Sequence, residues 1–152
     1  LGMNVIYHNR KPVSKSIEKM LRTKYVSENT LYKKSDIISL HVPYNKDTHH
    51  LMNLRIFKKM KKTSFLINTS RGKIVDEKQL VTALKKKEIQ GAGMDVYEKE
   101  PIKKSNPLLK LENVVLAPHV GSSTKETREK MSAITARNLL LALEGKKLLY
   151  SV

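Results

Sequence analysis

Phe65-Leu66-Ile67-Asn68-Thr69-Ser70-Arg71-Gly72 is a short apolar run that breaks abruptly into polar residues, a guanidinium and a glycine. The same grammar recurs twice downstream. Ala92-Gly93-Met94 leads into Asp95-Val96-Tyr97-Glu98-Lys99-Glu100-Pro101, and Val114-Val115-Leu116-Ala117 leads into Pro118-His119-Val120-Gly121-Ser122-Ser123. Short apolar runs bounded by turn signals read as buried strands, and helical patterns lie between them. The alternation predicts an α/β fold, a Rossmann-like and mostly parallel sheet with flanking helices covering both faces. In such sheets ligands sit in the crevice beyond the strand ends. Arg71, Glu100 and His119 are each delivered there by a different strand.

Working outward, Met3-Asn4-Val5-Ile6-Tyr7 reads as the first strand. Ser14 to Leu21 carries Ile17, Met20 and Leu21 at helical spacing, Lys24-Tyr25-Val26 is a minor strand, and Ser27 caps a short helix running to Lys34. Ile37 to Val42 is a strand closed by Pro43, and Asn53 to Met60 a helix with Leu54, Phe57 and Met60 as its stripe. Ser64 to Asn68 forms a buried strand, and Asp76 caps a helix from Glu77 to about Lys87. Strands Gly91 to Met94 and Val114 to Leu116 follow, then a long helix from about Thr124 to Leu143 that Gly145 stops, with Leu148 to Val152 leaving extended.

Composition excludes several classes. With no cysteine, disulfides, thiolate catalysis and thiolate metal sites are ruled out, and no metal site is expected. No apolar stretch is long enough to span a bilayer and the first residues are not a signal peptide, so a cytoplasmic protein without a membrane partner is expected. The formal net charge of +16 invites a nucleic-acid reading. However, the excess is 24 Lys against 6 Arg, dispersed along the chain and not interleaved with aromatics. That pattern describes a solvated surface, with a basic field that attracts anionic cofactor or substrate, rather than a base-stacking platform.

The three motifs together resemble the D-isomer-specific 2-hydroxyacid dehydrogenases, most closely their glyoxylate/hydroxypyruvate reductase branch. The 29 positions from Arg71 to Glu100 and the 19 from Glu100 to His119 agree with that family's layout. The resemblance implies an oxidoreductase that moves a hydride between NAD(P)H and a small anionic 2-oxo acid. It assigns Arg71 to the substrate carboxylate, through the planar fork that suits one. His119 becomes the proton donor and acceptor, and Glu100, directly before Pro101, the carboxylate that orients and stabilises the imidazole. The residues alone leave Glu98 and Glu100 open as solvent-facing loop charges. An inactive cofactor-sensing or corepressor-like binding module is the alternative function.

The same comparison assigns cofactor contacts to His41, Val42, Pro43 and Thr48 on the adenine and ribose side. Thr69 and Arg71 go to the nicotinamide ribose, Asp95 to the nicotinamide amide, and Gly121 and Ser122 beside His119 complete the set. After the first strand, Asn9 and Arg10 occupy the place where an acidic residue reads a ribose 2′-hydroxyl and an arginine accommodates a 2′-phosphate, so NADP is favoured over NAD. No strand, glycine-rich turn and helix precede Met3, so residues 1–152 read as a partial dinucleotide-binding domain. Residues 124–152 lead towards a substrate domain absent from the chain, and the full-length protein is expected to be a homodimer.

Overall fold

The computed structural model describes residues 2–150. The chain divides into two units, Leu1–Pro118 and His119–Val152.

The first unit begins with β1 (Val5–Tyr7), α1 (Lys15–Leu21), β2 (Thr23–Tyr25) and α2 (Glu28–Lys34). It continues through β3 (Ile37–Leu40), α3 (Leu54–Phe57), β4 (Phe65–Asn68), α4 (Glu77–Lys85), β5 (Gly91–Met94) and β6 (Val114–Leu116). Single 3₁₀ turns, Gly72–Ile74 and Pro107–Lys110, follow β4 and β5. Local chemistry sets the helix starts. Ser14, Ser27, Asn53 and Asp76 each accept a hydrogen bond from the backbone N–H three residues on, satisfying a donor that the helix itself cannot. The expected helix over residues 53–60 stops at Phe57, because the chain tightens into turns in which Lys59 N–H donates to Ile56 O and Met60 N–H to Phe57 O.

All strand pairs are parallel, as expected, but the strands form two sheets, β1-β2 and β3-β4-β5-β6. Among the described residues β1 pairs only with β2, and β3 only with β4. The cover also differs from the expectation of helices on both faces. Ile38, Leu40, Leu66, Ala92 and Met94 are buried in one core with Tyr32 of α2, Phe57 of α3 and Leu80 and Leu84 of α4. On the other face Ile37, Phe65 and Val115 remain exposed, Val115 at 75%. The reason is connectivity: right-handed crossovers between successive parallel strands place α3 and α4 on the same side.

The second unit is built on α5 (Lys125–Leu143), N-capped by Thr124. None of its residues is buried, and Met131, Leu139, Leu140 and Leu143 are more than half exposed. Gly145 takes a left-handed φ of 65° just past the helix end, as its sequence position suggests. The following segment does not simply run out extended. Asn138 catches it, accepting from Leu149 N–H and donating to Tyr150 O, both at 2.9 Å. Ser151 and Val152, the end of the expected extended tail, lie outside the described residues.

One close approach in the first unit fixes the loops that follow the strands. A Cβ on Gly72 would stand 1.9 Å from the carbonyl carbon and oxygen of Tyr97 and 2.5 Å from Glu98 N. Only glycine allows the turn after β4 to lie flat on the backbone after β5. Gly72→Ala is therefore expected to destabilise the fold by more than about 3 kcal/mol, as an overpacked buried contact with no flexible neighbour to yield. Urea unfolding of both proteins measures it, and a loss below about 1 kcal/mol would contradict the close approach.

Candidate active site

The parallel register brings Leu40, Asn68, Met94 and Leu116 into one row, so β3, β4, β5 and β6 end level with one another. The segments beginning at His41, Thr69, Asp95 and Ala117 all leave from that edge.

Asn68 shapes the turn that presents Arg71. Its fully buried side chain accepts from Ser70 N–H and donates to Arg71 O, both at 3.0 Å. Ser70 Oγ donates to Val42 O at 2.6 Å, tying the β4 turn to the loop after β3. Thr69 and Arg71 are exposed, and the Arg71 guanidinium donates to Ser70 O at 2.7 Å. A charged, planar donor set therefore faces outward from a turn whose backbone is locked.

Across β5, Asp95 is buried and its N–H donates to Asn68 O. Tyr97 donates its hydroxyl to Ala117 O at 2.8 Å, joining the ends of β5 and β6. Burial, followed by the Asp95 and Glu77 carboxylates, pushes the Tyr97 phenol up from its ordinary value, so it stays a donor. Glu100 is exposed, lies before a cis peptide to Pro101, and accepts from Tyr97 N–H at 3.0 Å. Glu98 has a different setting. It accepts from Glu77 N–H at the start of α4 at 2.9 Å, and its own N–H donates back to the Glu77 carboxylate. The two candidate carboxylates are thus distinguishable, one tied to a helix terminus and one turned back on its own loop.

The first unit therefore brings Val42, Thr69, Arg71, Asp95 and Glu100 to one edge of the four-stranded sheet. His41 and Pro43 begin the same β3 loop and are exposed, the His41 ring lying 2.8 Å from Ser39 Oγ. Thr48 closes that loop, its hydroxyl donating to Pro43 O at 2.7 Å and accepting from Asn45 N–H at 2.8 Å. Asn9 and Arg10 follow β1 on the two-stranded sheet. Their loop is pinned at both ends, by Tyr25 Oη on Asn9 O and by Val13 N–H on Tyr7 Oη, with Arg10 exposed. His119, Gly121 and Ser122 belong to the second unit, in the segment that enters α5 through a Ser123 N–H to Val120 O turn. His119 adopts a left-handed φ of 56°, uncommon for a residue with a side chain and a frequent mark of functional segments.

Residues given no site role by the sequence reading complete the platform: Asn68, Gly72, Tyr97 and Glu77, the last holding Glu98. The glycine following Arg71 was the one visible signal, since a turn glycine often marks a close backbone approach. Among the described residues no cluster of three or more His, Asp or Glu is arranged to hold a metal ion, and no helix is long and apolar enough to cross a membrane.

A family model described as D-isomer specific 2-hydroxyacid dehydrogenase, NAD binding domain, matches residues 1–121. The chain is 46% identical over 145 residues to a glyoxylate reductase of Korarchaeum cryptofilum, covering 95% of this chain and 43% of that protein. It is 43% identical over 146 residues to glyoxylate/hydroxypyruvate reductase B of Escherichia coli O6:H1, covering 95% and 45%. The crystal structure of a glyoxylate reductase from Paecilomyes thermophila superposes with a TM-score of 0.90 at 39% identity, covering 99% of this chain and 45% of the other. The chain thus spans less than half the length of these relatives, and it belongs to the D-isomer specific 2-hydroxyacid dehydrogenases, matching their NAD-binding domain.

Proposed function

We propose that the protein containing this chain reduces a small 2-oxo acid such as glyoxylate or hydroxypyruvate to the 2-hydroxy acid, with NAD(P)H as hydride donor. The observation that carries this reading is the level row of strand ends, which sets an outward-facing Arg71 beside the buried Asp95 and the loop of Glu100. The residues present fit a nicotinamide cofactor: the edge offers Thr69, Asp95 and backbone groups as hydrogen-bonding partners, at the place where open parallel sheets take dinucleotides. When bound, the cofactor supplies the hydride. Arg71 binds the substrate carboxylate with two parallel N–H donors and orients the carbonyl carbon. His119 gives its proton to the carbonyl oxygen as negative charge develops there, and takes it back in the reverse direction. On the family resemblance, Glu100 is the carboxylate assigned to act with that imidazole. A cytoplasmic, homodimeric full-length enzyme belongs to the same reading, on the strength of the family resemblance.

His119→Gln in the full-length protein is expected to lower kcat by about 10²–10⁴-fold while leaving cofactor affinity within a few-fold, as loss of a placed acid should. Steady-state turnover of glyoxylate close to wild type would remove the assignment. Arg71→Lys keeps the charge but not the fork, so KM for the 2-oxo acid should rise and kcat fall together. Unchanged values of both would refute a substrate role for Arg71.

Cofactor choice follows from the β1 loop. Arg10 is exposed on a segment held by Tyr7 and Tyr25, with neutral Asn9 where a ribose-binding carboxylate would stand, and this supports NADPH over NADH. Arg10→Ala is expected to erode the NADPH preference without harming NADH use. Comparing kcat/KM for the two cofactors decides it, and a wild-type preference for NADH would overturn the reading.

A further inference from the structure

The loop between β3 and α3 carries two adjacent histidines, His49 and His50, and the second makes contacts that the proposed chemistry does not use. His50 Nε2 lies 3.1 Å from Glu98 Oε1 and its Nδ1 lies 3.7 Å from Asp76 Oδ2, so the ring stands between two carboxylates. The ring is held from its own side of the loop as well. His49 stacks on it with centroids 3.9 Å apart, and Tyr44 meets His49 edge-on at 5.9 Å. His50 takes a left-handed φ of 49°, and its N–H donates to Lys73 O at 2.9 Å, so surrounding contacts maintain an otherwise uncommon backbone conformation.

What His50 reaches is the fixed point of the segment after β5. The Glu98 oxygen beside the His50 ring accepts Glu77 N–H, and Glu98 N–H returns to the Glu77 carboxylate. Two residues on, Glu100 folds back onto Tyr97 N–H. Gly72, the neighbour of Arg71, lies against the same Tyr97–Glu98 backbone. We propose that His50 is a positioning residue: by bridging the β3 loop to Glu98, it holds the Glu98 to Glu100 segment against the Arg71 turn. This rests on the proposed function for the identity of the groups being aligned, but the bridge itself is geometric.

The reach of the effect is limited by what remains when the bridge is lost. The Gly72 contact and the Tyr97 hydroxyl bond persist, so the segment loosens without detaching. The 43–48 part of the β3 loop is closed independently by Thr48, and the parallel bridge of Met52 to Val75 anchors its far end. Cofactor contacts made from Thr48 therefore do not depend on His50, whereas the spacing of Arg71 and Glu100 does.

The experiment compares full-length wild type with His50→Ala, His50→Gln, Glu98→Ala and the double variant His50→Ala/Glu98→Ala. With glyoxylate, kcat/KM is expected to fall about tenfold in His50→Ala, with KM for NAD(P)H within about twofold and no further loss when His50→Ala is added to Glu98→Ala. His50→Gln, which keeps an N–H donor, should recover to within about threefold of wild type. Independently of catalysis, amide hydrogen exchange at Tyr97 and Glu98 should quicken in His50→Ala. Unchanged exchange, additive losses in the double variant, or a Gln variant as impaired as Ala would each overturn the proposal. Should wild type fail to reduce glyoxylate, the proposed function falls, while the exchange rates still decide whether His50 holds the segment.

Discussion

Four parallel strands ending on one row is the constraint on which the rest depends. Adjacent strands stand about 4.8 Å apart, so the loops leaving Leu40, Asn68, Met94 and Leu116 begin as close neighbours without any help from the loops themselves. The register also decides which side chains turn inward. A one-residue slip of β4 would carry Leu66 and Asn68, both fully buried, to the open face that Phe65 now occupies. Asn68 tolerates burial because the turn it shapes satisfies it, Ser70 N–H on its oxygen and Arg71 O on its nitrogen.

Above that row the loops are joined by few but specific contacts. Ser70 ties the β4 turn to Val42, Gly72 seats it on Tyr97, and Tyr97 Oη reaches Ala117 O. Each uses a different device: a charge-free hydrogen bond, an absent side chain, and a phenol held in its donor form by burial. The result is a backbone platform with Arg71 outward from it. That is the arrangement a recognition site needs, because geometry is fixed before the ligand arrives.

The strands and helix starts were legible in the sequence because they are local. Gly91 to Met94 and Val114 to Leu116 form as read, and Asp76 and Ser27 cap the helices they precede. What could not be read depends on distant partners. The reciprocal Glu77 and Glu98 contacts join residues 21 apart, and the Met52 to Val75 bridge pairs two loop residues with no strand pattern around them. The open sheet face was hidden for a similar reason: Ile37, Phe65 and Val115 are apolar enough to read as buried, and only connectivity shows that α3 and α4 lie on the other side. Of the candidate residues, Arg71 stands out by its motif and Glu100 only through the family resemblance, whereas the groups that shape their loops carry no sequence signature of their own.

The scarcity of acidic residues sharpens the choice between the two carboxylates before Pro101. Against 30 Lys and Arg the chain has 14 Asp and Glu. Several of those in the first unit are engaged with backbone donors: Glu18 on Tyr25 N–H, Asp76 on Gln79 N–H, and Glu77 and Glu98 on each other's. The Glu18 carboxyl is held below its ordinary value chiefly by the hydrogen bond from Lys15, a sign that it is committed to its ionised form. Glu98 accepts from Glu77 N–H in the first turn of α4, where the exposed N–H groups of a helix start face negative charge. Glu100 accepts from Tyr97 N–H within its own loop and is exposed. The fold thus commits Glu98 to fastening the loop after β5 onto the start of α4, two residues before the Glu100–Pro101 step.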